Sequence, residues 1–182
     1  EKGIETYLSL MEQTHLGTGY WEYGLVNSLE SSSINNNSFN VYLAAQCYFN
    51  TPAFLSKSMT INSLISQRGD IHHLFPKQYL AKNGKTPKEY NQVANFVFTE
   101  QATNIKIGAK VPHDYMSLVF EQIQKSKNEI STLDNLDALL ENLRLNDVPL
   151  LLNDGEHTNY EEFLRRRKQL MANKIKQYYE NL

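Results

Sequence analysis

A chain of 182 residues can bury one substantial core, and 41% hydrophobic with 21% charged residues is the composition of an ordinary folded domain. No apolar run approaches the roughly 20 residues that cross a bilayer, and a single cysteine, Cys47, excludes an internal disulfide or a zinc site built on two thiolates and fits a cytosolic setting. The net charge of −2 argues against a nucleic-acid partner for the whole chain, yet seven cations against three carboxylates between Arg68 and Lys110 give that stretch +4 and leave −6 for the rest.

Residues 4–11 have helical spacing, and the opening lacks the basic-then-apolar layout of a signal peptide. With Glu1 rather than Met in first place, the sequence reads as the C-terminal piece of a longer protein. SLESSSINNNS is a Ser/Asn-rich connector, expected to be exposed and mobile, before an apolar helix over 39–50 that the pair Thr51-Pro52 ends. A third helix is predicted over 58–67, with Ile61, Leu64 and Ile65 on one face and Gly69 as its stop.

The pattern changes at Gly69. DIHHLF reads as a short strand ended by Pro76, KQYLAKNG as a short helix closed by Asn83-Gly84, and ANFVF at 94–98 as a second strand. Thr99 is the predicted cap of a helix over 100–107 that Gly108 terminates. Amphipathic helices follow over 112–126 and 133–145, and a long one over 160–179. The expected fold is α+β and mainly helical, one domain with a helical part at 1–68, a ββα unit at 69–110 and a second helical part at 111–182.

The chemistry concentrates in the ββα unit. Adjacent histidines on a strand project to opposite faces, so His72 and His73 are poorly placed to share one ion. One neutral imidazole can hold a metal while the other, with an ordinary pKa near ~6.5, accepts a proton from water. Asp70, two residues before His72, shares its face and either orients that ring or joins the metal shell. Asn104, on the helix after the second strand, can offer the oxygen a hard cation accepts.

DIHHLFP, NQVANFVFT and TNIKIG together resemble the motif set of HNH-type (His-Me finger) nucleases, and more narrowly the C-terminal nuclease domain of GmrSD-type modification-dependent restriction enzymes. YLAAQCYFNTPAFLSKS before the motif and FLRRRKQLMANKIKQYYENL at the end extend the likeness over most of the chain. The resemblance implies His72 as metal ligand, His73 as general base, Asn95 as the residue steadying the loop that bears the base, and Asn104 as second ligand. An Asn in that last place departs from the common histidine and favours Mg²⁺ or Mn²⁺ over Zn²⁺. Lys106 is expected beside the scissile phosphate, with Arg68 and Lys77 of the positive stretch also on the DNA backbone. The implied activity is endonucleolytic cleavage of double-stranded DNA, modified DNA included, with an NTP-using or sensor partner elsewhere in the protein and a homodimer for double-strand cuts. A binding module with a decayed site and an RNase of the same fold are the competing readings.

Other features read as ordinary. His15, His113 and His157 look like solvated loop residues, and Tyr178 and Tyr179 look like packing residues. The run Arg165 to Lys168 reads as a solvated helix face or, alternatively, a DNA-facing patch.

Overall fold

The computed structural model describes residues 2–67, 69–127, 129–150 and 159–182, so Arg68 and His157 lie outside the described residues. In chain order the elements are α1 (Lys2–His15), a π-turn at Tyr20–Gly24 running into α2 (Leu25–Ser28), α3 (Asn37–Tyr48), α4 (Ile61–Ser66) and β1 (Asp70–His73). Then come α5 (Lys77–Lys82), α6 (Pro87–Tyr90), a 3-10 turn at Val93–Asn95, β2 (Phe96–Thr99), α7 (Gln101–Ile107), α8 (Pro112–Lys125), α9 (Leu136–Leu145) and α10 (Tyr160–Glu180). The protein is mainly helical with one small two-stranded sheet. Among the described residues no helix is long and apolar enough to cross a membrane.

Polar side chains set where several helices begin. Asn36 accepts from Phe39 N–H to open α3, Thr60 from Ser63 N–H to open α4, and Asn135 from Ala138 N–H to open α9. Asn159 accepts from the N–H groups of Glu161 and Glu162 at the start of α10. Thr60 delays α4 to Ile61, three residues after the predicted start, and Asn135 likewise delays α9 to Leu136.

β1 and β2 pair antiparallel, with Asp70 opposite Thr99, Ile71 opposite Phe98, His72 opposite Val97 and His73 opposite Phe96. The second strand begins two residues later than predicted because Val93–Asn95 closes into a 3-10 turn first. Thr99 is not a cap. It belongs to β2, its hydroxyl donates to Phe54 O at 2.8 Å, and α7 starts after Glu100 without a side-chain cap. Gly69 is required by closeness: a Cβ there would stand 2.7 Å from Leu64 Cβ, where the chain passes from α4 to β1. Gly108 ends α7 at φ 57°, ψ −126°, a conformation open to glycine alone.

One core joins all three parts of the chain, from Leu25 and Phe39 through Phe54, Leu74, Val97 and Tyr115 to Leu139, Phe163 and Met171. The Ser/Asn connector, expected to be mobile, is stitched to it: Ser31 O accepts from Val93 N–H at 2.8 Å, and Asn36 Nδ2 donates to Ser28 O. The run at 165–168 divides. Arg165 and Arg166 pair with Glu162, and Lys168 pairs with Glu30. Arg167, neither solvated nor DNA-facing, is fully buried, with Nη1 donating to Ala94 O at 2.8 Å.

The loop between α3 and α4 carries Leu55 at φ 59°, a left-handed conformation that costs a branched residue roughly 1–2 kcal/mol. Asn142 of α9 holds it there. Its Oδ1 accepts from Leu55 N–H at 2.9 Å, and its Nδ2 donates to Ala53 O and Ser56 O at 2.9 and 3.2 Å. Replacing Asn142 by Leu fills the same space, removes three hydrogen bonds and strands Leu55 N–H and Ser56 O, Ala53 O keeping the Ser56 N–H, so urea denaturation should show a loss on the order of 3 kcal/mol. A loss below about 1 kcal/mol would mean that the loop finds other partners.

Candidate active site

The strand pairing carries His72 and His73 to the end of β1, where alternation sends their rings to different neighbours. His72 is buried at 4% exposure, parallel to the Phe54 ring at 6.4 Å and edge-on to Tyr115 at 6.2 Å. Its Nδ1 lies 2.8 Å from Asn104 Oδ1, and Asn104 Nδ2 donates to Asp70 Oδ2 at 3.3 Å. A carboxylate accepts hydrogen bonds, so Asp70 turns the amide nitrogen toward itself and the amide oxygen toward His72. Burial lowers the His72 pKa to about 4; the Asn104 bond opposes the shift and the nearby His73 adds to it. His72 is therefore neutral at physiological pH, the form a metal requires.

His73 is half-buried, edge-on to Phe96 at 4.9 Å, with Nε2 3.0 Å from Asn91 Oδ1. With that oxygen accepting, Nε2 carries the hydrogen and Nδ1 keeps the lone pair. Burial holds its pKa below the ordinary value; the Asn91 bond works against this and the Lys77 ammonium with it.

Asn95 stands behind the histidines, fully buried. Its side chain accepts from Phe75 N–H at 2.8 Å and donates to Phe75 O and Tyr90 O at 3.0 and 3.1 Å. Its main-chain oxygen accepts from Leu74 N–H at 2.9 Å. The turn directly after His73 is thus clamped to the turn directly before β2.

A cleft of about 370 Å³ opens over this end of the sheet, and His72, His73, Pro76, Lys77, Asn104 and Gly108 are among its walls. Of the residues singled out in the sequence, the structure gathers His72, His73, Asn104 and Lys77 here. Asp70, expected to orient His72 or to join a metal shell, has its hydrogen bond to Asn104, so it orients the amide on α7 rather than the ring directly. Lys106 is exposed on α7 outside the lining. Asn91, to which the sequence assigns no definite role, is the partner of His73. Phe54 and Tyr115, whose rings contact His72, are not singled out by the sequence.

Among the described residues no three His, Cys, Asp or Glu side chains converge, so any metal here has few protein ligands. His72 Nδ1 and Asn104 Oδ1 suit a hard cation that keeps several waters. Their 2.8 Å separation is close to the roughly 3 Å between neighbouring ligands that each lie about 2.1 Å from Mg²⁺. With Asn104 Oδ1 accepting, His72 Nδ1 carries the ring hydrogen in this structure; a cation at Nδ1 would require that hydrogen on Nε2, which is buried without a hydrogen-bond partner among the described residues.

The electrostatics are uneven along the chain. Among the described side chains, every lysine and arginine outside 69–110 lies within 4 Å of a carboxylate, Arg167 in the core excepted. Inside that segment Lys85 is paired, whereas Lys77, Lys82, Lys88, Lys106 and Lys110 have no carboxylate partner among the described residues. No protein-family model matches the chain, and no curated protein or solved structure gives a match.

The buried His72 should leave a mark on acid stability. Between its unfolded pKa of about 6.5 and its folded value, the unfolded chain takes up a proton that the folded protein refuses, so stability falls as pH drops. In EDTA, urea denaturation at pH 7 and pH 4 should differ by on the order of 3 kcal/mol from this group. A His72→Gln variant should lose correspondingly less; equal losses in the two proteins would show that burial does not set the proton affinity of His72.

Proposed function

We propose that this chain is a metal-dependent endonuclease domain that hydrolyses DNA phosphodiester bonds in the cleft between β1 and α7, with β1, β2 and α7 as the ββα unit of a His-Me finger (HNH-type) site. The observation that carries this reading is the pairing of His72 Nδ1 with Asn104 Oδ1 at 2.8 Å beside a second imidazole, His73, in one lysine-bearing cleft. Lys77 in the cleft wall, and the balance of +4 between Arg68 and Lys110 against −6 for the rest of the chain, support an anionic substrate.

In this mechanism His73 Nδ1 takes a proton from water, and the Asn91 oxygen holds Nε2–H and steadies the imidazolium that forms. Its depressed pKa keeps the ring unprotonated and ready at neutral pH. Asn95 keeps the turn after His73 from drifting, and Lys77 places a charge where a phosphate would enter. His72 and Asn104 would hold the ion, Mg²⁺ first and Mn²⁺ next; when bound, it supplies charge stabilisation to the phosphate and the leaving oxygen. One imidazole and no thiolate make the donor set less suited to Zn²⁺.

The likeness to GmrSD-type restriction enzymes carries the wider proposal: a cytoplasmic role in defence against foreign or modified DNA, with an NTP-using or sensor region as partner. Double-strand cleavage then calls for a second copy or a second nick.

Nicking of supercoiled plasmid in Mg²⁺, Mn²⁺ or EDTA tests the reading. Wild type should nick only with metal, and His73→Ala should be slower by roughly 10²–10⁴-fold with DNA binding retained. Equal nicking by the two proteins would sink it, and binding without metal-dependent cutting would mark a binding module instead. Faster cleavage of RNA than of DNA would keep the site and change the substrate. Anisotropy titrations of a labelled duplex should weaken with salt, with a log–log slope no steeper than about −4.5 for five lysine contacts and about 0.9 shallower in Lys77→Ala. A slope near zero would remove the lysines from the interface.

A further inference from the structure

We propose that Tyr115 is a positioning residue of this site that acts on the two histidines through two separable contacts; the proposal rests on the nuclease reading. Tyr115 lies in the first turn of α8, which Pro112 opens, and it is fully buried. Its ring meets His72 edge-on, with centroids 6.2 Å apart and planes at 78°. Its hydroxyl donates to Leu74 O at 3.1 Å. One side chain thus touches the residue before His73 and the residue after it.

The two contacts differ in what they control. The ring and Phe54 confine the His72 imidazole between them, which keeps Nδ1 turned to Asn104. The hydroxyl completes the restraint on Leu74, whose N–H is already given to Asn95 O, so both peptide groups of the residue following the base are tied to other elements. Burial raises the phenol's pKa, so it stays a donor at every working pH. A tyrosine serving the core alone would need its ring and one acceptor, and the ring contact with one histidine and the acceptor flanking the other would be without effect on either.

Two variants separate the contacts. Tyr115→Phe keeps the ring and loses the hydroxyl: Mn²⁺ affinity, measured by electron paramagnetic resonance, should stay within about twofold of wild type. Its kcat for plasmid nicking should fall roughly 3- to 10-fold with KM unchanged, the loss of one hydrogen bond's restraint. Tyr115→Leu removes both contacts and should also weaken Mn²⁺ binding by roughly 10-fold or more, as loss of a ligand's support does elsewhere. In metal-free protein the imidazole ¹⁵N resonances report without any activity: Tyr115→Phe should move those of His73 and leave His72 in place, and Tyr115→Leu should move both. Circular dichroism and thermal melting check that each variant is folded. Wild-type kcat in Tyr115→Phe, or unmoved imidazole resonances in a folded Tyr115→Leu, overturns the proposal. Absence of both Mn²⁺ binding and cleavage in wild type would defeat the nuclease reading alone, and the resonances would still decide whether Tyr115 positions the histidines.

Discussion

The structure is organised around keeping an imidazole neutral and dry beside an amide oxygen. His72 faces Asn104 from a four-residue strand, too short to hold its geometry unaided, so neighbouring elements supply the restraint. The register with β2 sets the height of His72 relative to α7, and Asp70 turns the Asn104 amide so that its oxygen faces the ring. Phe54 arrives on a loop whose strained Leu55 is held by three hydrogen bonds from Asn142, and Tyr115 arrives on α8. Remote residues on α8 and α9 therefore serve a pair of atoms 2.8 Å apart.

Much of this was legible in the sequence wherever the signal was local. DIHH and the Phe-Val-Phe segment declare strands by β-tolerant residues between breakers, Gly108 and Pro112 bracket helices, and the two histidines with Asn104 suggest a site through residue type and spacing. The misreadings arose where a distant partner decides. Thr99 looks like a cap in sequence, yet it lies opposite Asp70 in the sheet, and its hydroxyl finds Phe54 O across a gap of forty-five residues. Arg167 sits in a run of four cations on a helix, and only the packing of α10 against the 3-10 turn reveals that it is buried on Ala94 O. Asp70 shares a face with His72, as period-two alternation demands, but the amide on α7 intervenes.

Net charge misleads here for a related reason. The overall value of −2 averages a stretch from Arg68 to Lys110 at +4 with a remainder at −6, in which the cations along α8, α9 and α10 are held by carboxylates. An exposed ion pair contributes little to stability, so its effect on the surface is chiefly to cancel a field. An anion approaching the ββα segment meets the positive excess of that stretch.

The burial of Arg167 then acquires a reason beyond packing. Removing a guanidinium from water costs several kcal/mol unless its donors are used, and here Nη1 goes to Ala94 O and Nη2 to Asn146 O, while Nε has no partner among the described residues. An apolar side chain would fill the volume at lower cost, but it would leave the Ala94 carbonyl without its donor, and Ala94 directly precedes Asn95. Asn95 clamps the turn after His73, so the long C-terminal helix reaches that histidine through a chain of three contacts: guanidinium to carbonyl, carboxamide to Phe75, and peptide to Leu74. The helical parts are in this sense extensions of the site, because a sheet of two four-residue strands has no other means of holding its end residues still.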